Sequence, residues 1–165
     1  MNKNVSILLL LGLTLLLVFA VFGSQAVAET GKSQATVPFK ATYQTFPVPR
    51  GVDENGYLIL EIPADGKGTH LGKSEWYADS LVSLGPNPNT QTGEMFFTAA
   101  NGDKLIGSFE GWANLSESGG AEYGGEYEIT EGTGRFAGAT GSGDYYGSAG
   151  PETGTLTFDG TLTNP

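Results

Sequence analysis

Apolar and polar residues alternate with a period of two along several segments of this chain. The clearest are residues 37–44, 123–130 and 155–162, in which every second position is apolar or Gly. A period of two is that of a β-strand with one buried face, because successive side chains point to opposite faces of a sheet. Beyond residue 28 no long window keeps the helical period of about 3.6 residues. The pattern therefore predicts an all-β fold.

Other segments are apolar on both faces of the predicted strands. They are Tyr57–Ile62, Met95–Phe97 and Leu105–Phe109. We expect their second face to meet another element or another chain, so a homo-oligomer is one expected assembly. The stretch from His70 to Leu84 carries Trp76 and Tyr77 on opposite faces and predicts one bent strand or two short ones.

Turn dipeptides separate the apolar runs. Asn55-Gly56, Asp65-Gly66 and Asn101-Gly102 each predict a tight hairpin turn, because Asn-Gly and Asp-Gly accept the positive φ angles that such turns need. Further turn signals lie at residues 119–120, 132–134 and 151–154, and a wider loop is expected at 86–89. Counting the runs between turns gives about eight strands, the number that closes a small antiparallel β-barrel. A two-sheet sandwich is the alternative.

The first 28 residues differ in composition from the rest of the chain. Lys3 is followed by an almost continuous apolar run from Ile7 to Phe22, and Ala26-Val27-Ala28 has the small residues that signal peptidase requires. We therefore expect residues 1–28 to be a signal peptide and the protein to be secreted or periplasmic; an uncleaved membrane anchor is the alternative. Residues 29–36 are expected to form a flexible tether, and residues 37–165 a single β-barrel domain.

The charge and the cysteine count exclude several classes of function. The chain has 8 Lys and Arg against 18 Asp and Glu, a net charge of −10, which argues against binding nucleic acid or an anionic membrane. Contact with a membrane is expected only through the signal peptide before cleavage. The chain has no Cys and one His, so no ligand set for zinc or an iron–sulfur cluster exists, and no acidic run has calcium-loop spacing. We expect neither a metal nor a cofactor.

Three motifs resemble a family of small exported bacterial proteins. They are Gly68-Thr-His-Leu-Gly72, Thr98-Ala-Ala-Asn-Gly-Asp103 and the Gly-rich segment Gly132–Gly141, and they stand in the same order as in that family. Its domain is described as allene-oxide-cyclase-barrel-like, or dirigent-like. The resemblance implies an eight-stranded antiparallel barrel from about Val37 to Thr163. It also implies trimers and apolar, oxygenated small ligands, as in the plant cyclases and dirigent proteins, but no catalytic position of those enzymes is matched here.

Five residues are candidates for a ligand site. The rings of Trp76, Tyr123 and Tyr127 could line a pocket, with His70 or Arg135 at its polar end. They belong to a larger aromatic set that could do the same: Trp76, Tyr77, Trp112, Tyr123, Tyr127, Tyr145 and Tyr146. Each has a structural alternative as well. The rings could fill a Gly-rich interior, and His70, which falls where a strand is expected to start, could be a hydrogen-bonded structural residue. Arg135 could pair with a carboxylate such as Asp103 or Asp144 to tie strands together. For Arg135 we favour the structural role.

These observations favour a non-catalytic binder of an apolar or amphipathic small molecule. An isomerase or cyclase of the allene-oxide-cyclase or dirigent type is the first alternative, and a structural envelope protein with a filled barrel is the second. Enzymatic activity is less favoured, because an enzyme usually shows an acid–base constellation and this chain has a single His. An open interior of about 300 Å³ or more, lined by aromatic rings, would favour binding or catalysis over a structural role.

Export predicts a defined N-terminus. The mature protein should begin at Glu29, because cleavage follows Ala28 in the Ala-Val-Ala site. Mass spectrometry of protein from the secreted or periplasmic fraction measures this directly. An intact Met1, or a product that pellets with membranes, would contradict the prediction.

Overall fold

The computed structural model describes residues 35–85 and 88–165. The predicted signal peptide, most of the predicted tether and Pro86-Asn87 lie outside the described residues. The described chain forms nine strands and one 3-10 turn at Gly134–Phe136. The strands are β1 Thr36–Thr45, β2 Val48–Val52, β3 Tyr57–Gly68, β4 Gly72–Ser83, β5 Asn89–Ala99, β6 Lys104–Leu115, β7 Ala121–Gly132, β8 Thr140–Ala149 and β9 Gly154–Thr163.

The strands close into an eight-stranded antiparallel barrel with one extra strand, as the period-two pattern predicted. From β3 to β9 each strand pairs with the next along the chain, and β9 pairs with β1. Pairing of β1 with β3, from Ala41 opposite Gly68 to Thr45 opposite Ala64, closes the barrel. The extra strand is β2, which continues along β3 beyond the point where β1 ends. The sandwich alternative is wrong, because a sandwich would leave β1 and β3 unpaired.

Alternate residues of the strands face the barrel interior. In β1 these are Phe39, Ala41, Tyr43 and Thr45, all buried. Phe158 of β9 lies at the centre of the core, with its ring centroid 5.0 Å from that of Phe97 and 5.2 Å from that of Tyr127. Both pairs meet edge to face, the arrangement that the charge distribution of aromatic rings favours. The rings therefore pack against one another and fill this part of the interior.

Two of the three predicted hairpin turns are confirmed and the third is wrong. Gly56 and Gly102 lie in turns with φ of 86° and 89°. Asp65-Gly66, in contrast, lies inside β3, where Gly66 pairs with Tyr43 of β1. A Cβ at Gly66 would stand 2.6 Å from Cδ1 of Tyr43, so this glycine serves close strand approach and not a turn. The hairpin instead turns at residues 69–71.

Because the hairpin turns at residues 69–71, His70 lies in the turn and not at the start of a strand. His70 lies in the turn with φ of 64°, and β4 begins only at Gly72. The strand β4 is continuous to Ser83, which settles the choice between one strand and two. Within it Trp76 and Tyr77 lie on opposite faces, as the sequence predicted, and Trp76 is the buried one.

Apolar side chains also lie on the outer face of the barrel. Tyr77 pairs with Phe96, and Phe96 with Ile106, so that three neighbouring strands present an apolar row. The ring centroids of Tyr77 and Phe96 are 6.4 Å apart, and Leu81 on the same face of β4 is 40% exposed. This outer row explains why Met95–Phe97 is apolar on both faces, since Met95 and Phe97 are buried in the core.

Substitution of Gly66 tests the close approach of β1 and β3. We expect Gly66→Ala to lower the free energy of unfolding by about 3 kcal/mol, because the added methyl would collide with the ring and backbone of β1. Gly85→Ala is the matched control, because no atom of the described residues beyond its chain neighbours lies within 4 Å of the position that its Cβ would take. Chemical denaturation of the two variants measures the difference. Equal free energies of unfolding for the two variants would contradict the prediction, because they would show that β1 and β3 can move apart without loss of stability.

The homo-oligomer stays a prediction, and the outer row is where a second copy would bury apolar surface. If it does, Phe96→Ser should reduce the mass that light scattering records at high protein concentration. Leu84→Ser is a suitable control, because Leu84 is 52% exposed and lies beyond the end of β4. A wild-type protein that is strictly monomeric at high concentration would contradict the prediction.

Candidate functional site

The two ends of the barrel differ in how they are closed. One end, which we call the closed end, carries the connections at residues 69–71, 100–103 and 133–139. Leu71, Phe136 and Ala139 from these connections are buried, so that side chains seal this end. The other end, the open end, carries the connections at residues 53–56, 116–120 and 150–153.

Arg135 ties the connections of the closed end together. Its Nη2 donates a hydrogen bond to the carbonyl oxygen of His70 over 2.9 Å, and its backbone N–H donates to Oδ2 of Asp103 over 3.2 Å. The guanidinium Nε lies 4.0 Å from the same Oδ2, and the guanidinium carbon lies 4.6 Å from the centroid of the Phe136 ring. The structural alternative for Arg135, with Asp103 as its carboxylate, is thus the one observed. Arg135 and His70 lie together, but neither lines the cavity of the open end.

The open end contains a cavity of about 320 Å³, which we call the outer cavity. Its wall is mainly aliphatic, with Leu58, Leu60 and Ile62 from β3 on one side and Ala113 and Leu115 from β6 on another. This placement gives a second reason for a two-faced apolar segment in the sequence. Within Tyr57–Ile62, alternate residues face the outer cavity, while the residues between them point away from it. The prolines of the wall are Pro47, Pro49 and Pro151.

Below the outer cavity lies a much smaller space of about 20 Å³, which we call the inner chamber. Thr45, Ile62, Gln91 and Tyr123 line both spaces, so the inner chamber forms the floor of the outer cavity. The remaining walls of the inner chamber are mostly aromatic: Trp76, Phe109, Tyr145, Leu156 and Phe158. A volume of this size accommodates about one water-sized group.

Three residues of the inner chamber carry a buried polar atom without a hydrogen-bond partner among the described residues. These atoms are Trp76 Nε1, Gln91 Oε1 and Tyr145 OH. The three residues are between 4% and 6% exposed. Buried polar groups in folded proteins nearly always have a partner, and each one without it costs about 1–3 kcal/mol. These atoms are therefore concentrated around one small space.

Neighbouring polar groups of the site already have partners. Nε2 of Gln91 donates to Oγ of Ser80 over 3.2 Å, which leaves Oε1 as the acceptor of that amide. The hydroxyl of Tyr123 donates to the carbonyl oxygen of Thr155 over 3.0 Å. Burial raises the pKa of Tyr145 and of Tyr123, so both phenols keep their protons at neutral pH.

The structure separates the five candidate residues predicted from the sequence. Trp76 and Tyr123 lie in the walls of the inner chamber. Tyr127 is buried against Phe158 in the filled part of the core, and its hydroxyl also has no partner. The rings mostly fill the interior, which is the structural alternative given for them above. In the wall of the outer cavity, Tyr123 is the aromatic residue.

Sequence analysis missed Thr45 and Gln91, and it placed Tyr145 in the aromatic set without naming it among the five candidates. A signal for Thr45 and Gln91 was present, because Thr45 follows Tyr43 with the period of two, and Gln91 precedes Met95 in the same phase. A polar residue at an inward-facing position is a recognisable exception to the apolar pattern. Nothing in the sequence indicated that these positions, on different strands, would meet around one space.

Within residues 35–85 and 88–165, no cluster of three or more His, Asp or Glu side chains could hold a metal ion. Over the same residues, none of the helical structure is long and apolar enough to span a membrane. Comparison of the sequence with protein-family models and with curated proteins finds no match.

The buried phenols predict a loss of stability in alkali. Burial raises the pKa of Tyr43 to about 12 and also raises the pKa values of Tyr123, Tyr127 and Tyr145. In the unfolded chain a Tyr ionises near 10, so the stabilisation is complete below about pH 10 and is lost as pH rises from there towards 12 and above.

We expect the contribution of Tyr43 alone to be about 2 kcal/mol. Denaturant unfolding followed at pH 8 to 11, together with phenolate absorbance, measures the effect. Tyr43→Phe should make the decline with pH less steep. A stability that is constant up to pH 11 would contradict the prediction.

Proposed function

We propose that this protein is an exported, non-catalytic binder of an apolar or amphipathic small molecule, held in the outer cavity. The observation that carries the proposal is this cavity of about 320 Å³ with a mainly aliphatic wall. Small-molecule sites commonly measure about 300–1,000 Å³, and an apolar cavity of about 150 Å³ already accepts benzene. The outer cavity therefore suits a ligand of roughly one or two rings, or a short branched chain.

The composition of the wall favours an uncharged ligand body. Leu58, Leu60, Val82 and Leu115 offer apolar contact, and each square ångström of apolar surface removed from water contributes about 25 cal/mol. None of the residues in this wall is charged. The net charge of −10 further disfavours the approach of an anion.

The chemistry of the site supports binding over catalysis. The polar groups around the inner chamber are a hydroxyl, an indole, an amide and two phenols. A general acid or base works best with a pKa near the operating pH, and burial moves the pKa of Tyr145 away from neutrality. An isomerase that acts by shaping a reactive ligand is the alternative. Conversion of a retained compound into an isomer would support that alternative.

Blocking the outer cavity tests the proposal. Leu60→Trp places a large ring in the wall, and Ile59→Trp places the same ring one residue earlier on β3, at a position that does not line the cavity. We expect wild-type protein and Ile59→Trp to bind naphthalene in calorimetric titration, and Leu60→Trp to bind it at least tenfold more weakly. No binding by the wild type, or equal binding by the two variants, would contradict the proposal.

A second measurement separates the binder from the isomerase. The protein is incubated with a neutral lipid extract and isolated, and the retained compounds are compared with the extract by chromatography and mass spectrometry. Retention of unchanged compounds supports the binder. Conversion of a compound into an isomer, lost in Leu60→Trp and kept in Ile59→Trp, would replace the proposal with the enzymatic alternative.

A further inference from the structure

We infer that the ligand carries one neutral oxygen, a hydroxyl or a carbonyl, which enters the barrel first and is bonded in the inner chamber by Trp76 and Tyr145. This inference rests on the proposed function, because it assigns the orientation and the polar chemistry of a ligand whose body fills the outer cavity. Three features of the inner chamber support it: the position of the chamber, its size and its unpartnered polar atoms.

The position of the inner chamber sets which end of the ligand reaches it. The chamber shares Thr45, Ile62, Gln91 and Tyr123 with the outer cavity and lies on the side of it that faces the filled core. A molecule that enters from the open end therefore meets the chamber with its leading group. Its apolar body stays against the aliphatic wall above.

The size of the inner chamber limits that leading group. A volume of about 20 Å³ accepts one water-sized group. A hydroxyl or a carbonyl oxygen has this size. A phosphate or a sugar ring is far larger than the chamber.

The unpartnered atoms decide the chemistry of the group. Trp76 Nε1 carries an N–H that can only donate, so the ligand atom it meets must accept a hydrogen bond. The Tyr145 hydroxyl is a second donor, and Gln91 Oε1 is an acceptor. A ligand hydroxyl can accept from the donors and donate to Gln91, while a carbonyl can accept from both donors.

Charged groups fit this arrangement poorly. The nine residues that line the inner chamber include no Lys, Arg or His, so a carboxylate would be buried without a cation. An ammonium has no lone pair for the N–H of Trp76. A neutral oxygen is the group that these donors and this acceptor match.

Three ligands with the same ring system test the inference. Naphthalene has no polar group, 2-naphthol has a hydroxyl, and 2-naphthoate has a carboxylate. We expect the wild-type protein to bind 2-naphthol about fivefold or more tightly than naphthalene, because it gains one or two net hydrogen bonds. Binding of 2-naphthoate should be weaker than that of naphthalene.

Variants of single polar atoms locate the effect in the inner chamber. Tyr145→Phe removes one donor, and Trp76→Phe removes the other. Each should lower the affinity for 2-naphthol about fivefold and leave that for naphthalene nearly unchanged, which also shows that the variant folds. Tyr127→Phe is the matched control, because it removes a buried hydroxyl that also lacks a partner but lies outside the chamber. It should change neither affinity.

The results distinguish this inference from the proposal on which it rests. If naphthalene and 2-naphthol bind equally, or if Tyr127→Phe weakens 2-naphthol as much as Tyr145→Phe does, the inference is overturned and the apolar binding site remains. If 2-naphthoate binds most tightly, the neutral-oxygen assignment is overturned. If the wild type binds none of the three ligands, the proposed function itself fails.

Discussion

Large inward-facing rings packed over glycines of neighbouring strands are the interaction on which this barrel depends. Tyr43 pairs with Gly66, Phe109 with Gly93 and Tyr123 with Gly147. In each pair a Cβ on the glycine would stand 2.6 Å from a ring carbon of its partner. An aromatic ring that covers the bare backbone of an adjacent glycine is a recognised way to stabilise a curved sheet. Glycines of the described strands thus belong to the packing of the core, while others lie in the turns.

The same interaction determines where space remains for a ligand. Rings meet rings in the filled part of the barrel, as around Phe158, and no room for a ligand is left there. Towards the open end the inward positions carry aliphatic side chains instead of rings, with Leu58, Leu60 and Ile62 on β3 and Ala113 and Leu115 on β6. The outer cavity is the space between these side chains, which lack the reach of the rings that fill the rest of the barrel. The inner chamber lies at the boundary between the filled part of the barrel and the outer cavity. Trp76 and Tyr145, whose polar atoms have no partner among the described residues, line this chamber.

The sequence predicted the strands well because their signal is local. The alternation that predicts a strand extends over only a few residues, as in residues 37–44. The Gly that predicts a turn is equally local, as at Gly102. Asp65-Gly66 failed because a glycine that permits a turn also permits close strand approach, and only the partner strand decides between them. The candidate site was harder to predict, since Trp76 and Tyr145 lie on strands that closure of the barrel brings together. For Arg135 the residue type suggested two roles, and only the folded chain shows that Asp103, on a different connection, lies beside it.

The extra strand β2 is held at the open end less firmly than the eight barrel strands are held to one another. It lies at the end of the strand order and pairs with β3 alone among the described strands, and its register shifts between Pro49 and Gly51. Proline has no N–H to donate, so the ladder that holds β2 is weaker than the ladders around it, although Arg50 and Glu61 form an ion pair across it. Detachment of β2 would move Pro47 and Pro49 away from the outer cavity and leave all eight barrel strands paired. Exchange of the proposed ligand would then need only local opening, on a timescale independent of global unfolding.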